Sequence, residues 1–226
     1  MNDAQVQKIA GLAGLMIGLG SVSLLPLYFM YSGAPPAWNV FTRDLIGLIV
    51  CAFLIVFVVG VSHLIHRADS SYEWLASLLY GAGLVLATVT LIAISLEAGV
   101  IFGAPDGTLD PTIDGPLAEG NILIHGSIKR LLTALFLIPT GYAILRTRLL
   151  PNWTGRVAYL VAVFNLAFVP SIYFGKDAAQ FYSAVGWGNS ALAASLFAYW
   201  ILAVGIVLLR RLRTAPSGTL QQASPS

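Results

Sequence analysis

Six apolar runs leave this chain little choice of fold. They cover residues of about 8–31, 43–65, 74–101, 122–146, 156–174 and 189–210. A bilayer core of about 30 Å is crossed by about 20 apolar residues in helical form. Backbone groups inside lipid must bond within their own segment, so runs of this length are helices. A membrane barrel would instead alternate over segments of about ten residues. The remainder is too short for a separate soluble domain. Of the 226 residues 58% are hydrophobic and 10% charged, against about 25% charged in a soluble domain. The expected fold is an all-α polytopic transmembrane bundle of six antiparallel helices. Residues 1–213 form one transmembrane domain, and the polar, turn-rich 214–226 form a disordered cytoplasmic tail.

The first run is read as a span and not as a cleaved signal, because its apolar stretch exceeds the 7–15 residues of a signal core. With the N-terminus inside, the cytoplasmic connections carry eight Lys and Arg: Lys8, Arg67, Arg146, Arg148, Arg156, Arg210, Arg211 and Arg213. The opposite side carries four, Arg43, Lys129, Arg130 and Lys176. This bias places both termini in the cytoplasm and the chain in the inner (cytoplasmic) membrane as a multi-pass protein. A net charge of +2 without a basic cluster excludes nucleic acid as a partner. The single cysteine, Cys51, lies inside the second span, where packing is its expected role.

Ionisable residues inside a membrane span are costly and mark function by default. In the fourth span Asn121, His125, Lys129 and Thr133 stand four apart, on one helical face. Lys129 falls about 10 Å below the outer boundary, and Glu97, near the end of the third span, about 8 Å below it. The two spans are consecutive and antiparallel, so Glu97 is expected to pair with Lys129, or failing that with Arg130. His125 then forms the entrance one turn above. The expected site is an outward-facing polar pocket of Glu97, His125, Lys129, Arg130 and Asn165. Structural ion pairing or snorkelling to the headgroups is the competing reading. Asn165 stands five residues before Pro170, where a buried amide can answer the carbonyl that the proline frees; packing glue is its first expected role and pocket lining its second. Arg43 and Asp44, with Lys176 and Asp177, form the pocket rim, as interfacial anchors at the outer boundary or else as a gate for a ligand.

No cofactor and no metal are expected. His63-x-x-His66 lacks a third ligand at firm spacing. Asp106, Asp110 and Asp114 recur at a spacing unlike that of a calcium loop and sit in turn dipeptides. Phosphate-binding glycine loops, zinc-protease helices and nucleophile elbows do not occur. Small residues predict helix contacts: Gly11, Gly14 and Gly18 in the first span, and Ala191, Ala194, Ser195 and Ala198 in the last.

Residues 141–166 contain Gly141-Tyr142, then Arg146, then Leu150-Pro151-x-Trp153-x-Gly155. This pattern resembles a bacterial family of six-helix integral membrane proteins of unknown function. Arg148 stands where that family carries a glycine. The resemblance implies a six-helix fold and no activity. Three functions fit the residues. The first is a membrane protein binding a small amphiphile or a partner membrane subunit. The second is an enzyme on a lipid or isoprenoid substrate, with Glu97 as general acid. The third is a small proton-coupled transporter using Glu97 and His125, although no inverted repeat or broken helix is legible.

Overall fold

A computed structural model describes residues 2–31, 33–104, 109–111, 114–115 and 117–214. It is 85% helical, with no strand among the described residues. Six helical spans are long and apolar enough to cross a membrane: Asp3–Phe29, Ala37–Ala68, Ser70–Gly103, Ala118–Thr147, Asn152–Phe174 and Gly188–Leu212. They coincide with the six apolar runs and extend them by a turn or so at several ends. Asp106 and the tail from residue 215 onward lie outside the described residues.

Helix α1 (Asp3–Phe29) starts in a reciprocal cap. The Asn2 side chain accepts from the Gln5 N–H, and the Gln5 side chain accepts from the Asn2 N–H. Helices α2 (Ala37–Ala68) and α3 (Glu73–Gly103) follow. The fourth span is composite: α4 (Ala118–Leu123), a π-helical turn over Ile124–Ile128, then α5 (Lys129–Thr147). The fifth is α6 (Asn152–Phe168) closed by a 3-10 segment, Val169–Phe174. The sixth opens with a π-helical segment, Gly188–Ala193, and continues as α7 (Ala194–Thr214). Neighbours follow the order α7, α1, α2, α3, α5, α6, and Phe57, Phe136 and Trp200 fill the interior between them.

The tightest crossing joins α1 and α7. A side-chain carbon on Gly14 would meet Gly205 Cα at 3.0 Å, and one on Gly18 would meet Leu202 Cβ at 2.5 Å. The expected packing of Gly14 and Gly18 on a helix of the same chain is therefore present. The partner face is built on Gly205; of the small residues of the last span, Ala198 is buried and Ala191, Ala194 and Ser195 are half buried. A residue with no side chain brings backbones closer than an alanine face does. Gln7 Nε2 also donates to Leu208 O at 2.8 Å, so both chain ends stand at one end of the bundle. A second crossing sets Gly141 of α5 on Gly155 of α6, where an added carbon on either would lie 3.0 Å from the other's carbonyl oxygen. Arg148 ends α5 in the left-handed region (φ 52°), with its N–H on Ile144 O. Glycine is the usual residue there.

Candidate functional site

The polar residues of the spans gather at the end of the bundle remote from both chain ends. Helix α2 contributes Arg43 and Asp44 from its second turn, exposed by only 5% and 7%. Helix α3 contributes Glu97, and α4 contributes Asn121, each 2% exposed. His125 lies in the π-helical turn. Its Nε2 stands 2.9 Å from Glu97 Oε1. This is an ion-pair distance, although the ring N–H is not aligned well enough for a regular hydrogen bond.

The expected partner of Glu97 was a different residue of the same span. Lys129 makes no ion pair with Glu97, although the two charges lie within electrostatic reach. The backbone explains the change. A π-helical turn inserts a residue into the α-helical count, and Gly126 breaks the helix there with φ −89° and ψ −111°. The stripe Asn121, His125, Lys129, Thr133 presupposes an unbroken α-helix. One inserted residue rotates everything beyond it by about 100°. His125 consequently takes the carboxylate and Lys129 is turned aside. Arg130 faces the other way, as its 100° offset from Lys129 predicts. Its Nη1 donates to Asn165 Oδ1 at 3.1 Å on the α5–α6 side.

Asn165 joins two helices and does not answer the carbonyl that the proline frees. The carbonyl freed ahead of Pro170 is that of Leu166, and the Val169 N–H answers it within the 3-10 segment. Asn165 donates to Val161 O of its own helix and offers its oxygen to Arg130. A buried guanidinium is thereby held by a neutral amide.

The four rim residues separate into two kinds. Lys176 and Asp177 are exposed at the surface, with Lys176 Nζ 2.6 Å from Glu119 Oε1. Arg43 and Asp44 are not rim residues. The end of α1 folds over them, Asn39 Nδ2 donates to Leu27 O, and the Arg43 guanidinium lies 4.3 Å from the centroid of the Tyr28 ring. Both sit beside Glu97, whose charge reaches Tyr28 and Asp44.

These buried groups do not satisfy one another. Arg43 Nε and Nη2, Asp44 Oδ2, Glu97 Oε2 and both polar atoms of Asn121 have no hydrogen-bond partner among the described residues. A buried polar atom left unbonded costs about 1–3 kcal/mol, more when charged. A cavity of about 90 Å³ lies against Arg43, walled by Leu27, Tyr28, Tyr31, Gly33, Pro35 and Asp110. It is wide enough for more than one water-sized group. Chemically the arrangement offers N–H donors from Arg43 and carboxylate acceptors from Asp44 and Glu97, and Asn121, one turn before His125, adds an amide that can do either.

Irregular backbone surrounds this end. A side-chain carbon on Gly126 would lie 3.2 Å from both Ala184 O and Asn189 Nδ2, so the break in the fourth span packs on the π-helical start of the sixth. Ser127 Oγ donates to Val169 O at 2.6 Å, which ties the break to the 3-10 end of the fifth. Asn189 Nδ2 donates to Ala184 O and to Ser171 Oγ. The break in the fourth span therefore lies beside the 3-10 end of the fifth and the π-helical start of the sixth. Sequence reading found no clear broken helix. The signals were Gly126 beside His125, and Asn189 after Gly186 and Gly188, polar or flexible residues where an uninterrupted span carries neither. Asn39, Asn121 and Tyr28 also escaped the sequence-predicted site. Tyr28 looks like any interfacial aromatic until α1 is seen to fold over α2.

At the other end, His63 Nε2 lies 3.4 Å from Asp3 Oδ1, and no three metal-ligating side chains gather among the described residues. Asp110 and Asp114 close a turn on each other, the Asp114 N–H on Asp110 O and the Asp110 N–H on Asp114 Oδ2. Compared with protein-family models, with curated proteins and with solved structures, the chain matches none.

Proposed function

We propose that this is a multi-pass protein of the bacterial inner membrane, both termini cytoplasmic, that binds the polar head of a small amphiphile at the Arg43–Asp44–Glu97–Asn121 site. The unpartnered buried atoms of these four residues carry this reading. A structural ion-pair network closes its own hydrogen bonds, because a lone buried charge is the expensive state. Here a guanidinium and two carboxylates share one region without an ion pair among them, beside a small cavity. A head group that both donates and accepts hydrogen bonds completes the set, while its tail remains among the apolar helix faces. The eight-to-four distribution of Lys and Arg supports the orientation, with the site opening outward. The bacterial setting rests on the resemblance of residues 141–166.

Native mass spectrometry of the protein, extracted in mild detergent, tests this. The expected result is a bound species of discrete small mass on the wild type, absent from Arg43→Gln and from Glu97→Gln. A bare wild-type mass under conditions that retain annular lipid, or a bound species of protein size, overturns the reading.

The break in the fourth span at His125 and Gly126 favours one alternative, proton-coupled transport through the Glu97–His125 pair. Broken helices are the usual setting of transporter sites. Proton uptake into liposomes that depends on an added solute and is abolished by Glu97→Gln is the result that selects it.

A further inference from the structure

A second site lies away from the polar cluster, between α6 and α7. Phe136 of α5 meets Phe197 and Trp200 of α7 edge-on. Trp200 Nε1 on Thr154 O, at 2.9 Å, bridges the two helices deep in the cleft. Outside that bridge runs an open apolar groove of about 310 Å³, lined by Trp153, Leu160 and Phe164 of α6 and by Tyr199, Trp200 and Ala203 of α7, among others. From Trp153 to Phe164 it extends about 16 Å at 1.5 Å per residue. This is the depth of one leaflet, half of about 30 Å.

Only one end of the groove is charged. Arg156 stands three residues after Trp153 and four before Leu160, on the groove face of α6. Arg210 stands seven residues after Ala203, two turns further along the same face of α7. The Arg211 guanidinium donates to Leu149 O, so the end of α7 is held against the connection that leads into α6. Of the other arginines at this end, Arg67 lies 3.5 Å from Asp3 and Arg146 covers the Tyr142 ring, while Arg148 is exposed at the turn that leads into α6. Arg156 and Arg210 are exposed, and neither makes a hydrogen bond or ion pair among the described residues.

We infer that this groove is a selective site for an anionic phospholipid of the surrounding bilayer. One acyl chain lies along the groove, and the phosphate meets Arg156 and Arg210. A zwitterionic lipid fills the groove equally well but carries its own cation beside the phosphate. Selectivity therefore comes from the two arginines, and depth from the groove. Basic residues at the membrane surface contribute about 1 kcal/mol each toward anionic lipid. Two of them give about a thirtyfold preference.

Trp153 and Trp200 report directly on the occupant. The other three tryptophans, Trp38, Trp74 and Trp187, are exposed and are replaced by Phe. The protein is then reconstituted in phosphatidylcholine vesicles containing increasing fractions of brominated phosphatidylglycerol or brominated phosphatidylcholine. Quenching by the brominated phosphatidylglycerol is expected to reach half its maximum at a mole fraction of about 0.03, against about 0.5 for brominated phosphatidylcholine, which competes with its own unbrominated form on equal terms. Arg156→Gln with Arg210→Gln should bring the two lipids together, and continued quenching by brominated phosphatidylcholine shows that the groove is still folded. Equal quenching by both lipids in the arginine-containing protein overturns the inference, whatever the variant does. A double variant that keeps the full preference for phosphatidylglycerol overturns the role of the two arginines.

Discussion

Replacing Gly205 with alanine tests how closely α1 and α7 must approach. The added carbon would lie 2.9 Å from Gly11 O, Gly14 C and Leu15 N, all backbone atoms of α1. Carbon contacts settle at about 3.5–4.0 Å. None of these atoms can swing aside as a side-chain tip can, so the two helices must part by roughly 0.6–1 Å along the crossing. Overpacking of this kind costs about 1–3 kcal/mol. Alanine recovers about 0.5–1 kcal/mol through its better helix propensity. The net expectation is a loss of about 0.5–2 kcal/mol. Gly99 of α3 supplies the control, because an added carbon there meets nothing within 4 Å. Gly99→Ala should be neutral or gain up to about 1 kcal/mol. Reversible unfolding in mixed micelles, titrated with a denaturing detergent, measures both. Equal shifts for the two variants refute the close crossing.

Three further outcomes follow from the geometry. A double-mutant cycle of Glu97→Gln with His125→Gln should show a coupling of about 0.6–1.7 kcal/mol, the range of polar contacts between membrane helices; a stronger coupling of Glu97 to Lys129→Met in the same assay contradicts the observed pairing. Arg148→Gly should stabilise the fold by about 1 kcal/mol, because it removes a side chain from a left-handed backbone position, and unchanged unfolding argues against that conformation. A cytoplasmic reporter fused after Arg213 and an external reporter inserted at Gly107 should both be active; an externally read tail reverses the orientation.

The fold was legible because hydrophobic length alone dictates it. Each of the six runs meets the bilayer requirement, and the helices follow them with small shifts at the ends. The Gly14 and Gly18 contact was legible for a related reason, since a small-residue spacing has only one use inside lipid. The site was legible in its members and not in its pairings. Depth counting brought Glu97, His125 and Lys129 to one level, but it assumed an unbroken helix from Asn121 to Thr133. The break at Gly126 depends on contacts with Ala184 and Asn189, about 60 residues further along the chain, and no local pattern encodes it. Arg43 and Asp44 looked like boundary anchors because they begin the second apolar run. Their burial comes from the end of α1 and its Tyr28, a tertiary effect that the position of a charge in a hydropathy pattern does not carry.

The central claim is that the polar atoms around Glu97 are arranged for a guest and not for one another. Asn121 isolates that claim, because it is buried and both of its side-chain polar atoms lack partners among the described residues. Unfolding of the ligand-free protein, compared for Asn121 and Asn121→Leu, is the most direct measurement. Leucine removes two unsatisfied polar atoms at similar volume, so the variant should be more stable by about 1–2 kcal/mol, while the small bound species disappears from its native mass spectrum. A less stable variant that still carries the bound species would show that Asn121 holds the bundle together and takes no part in binding.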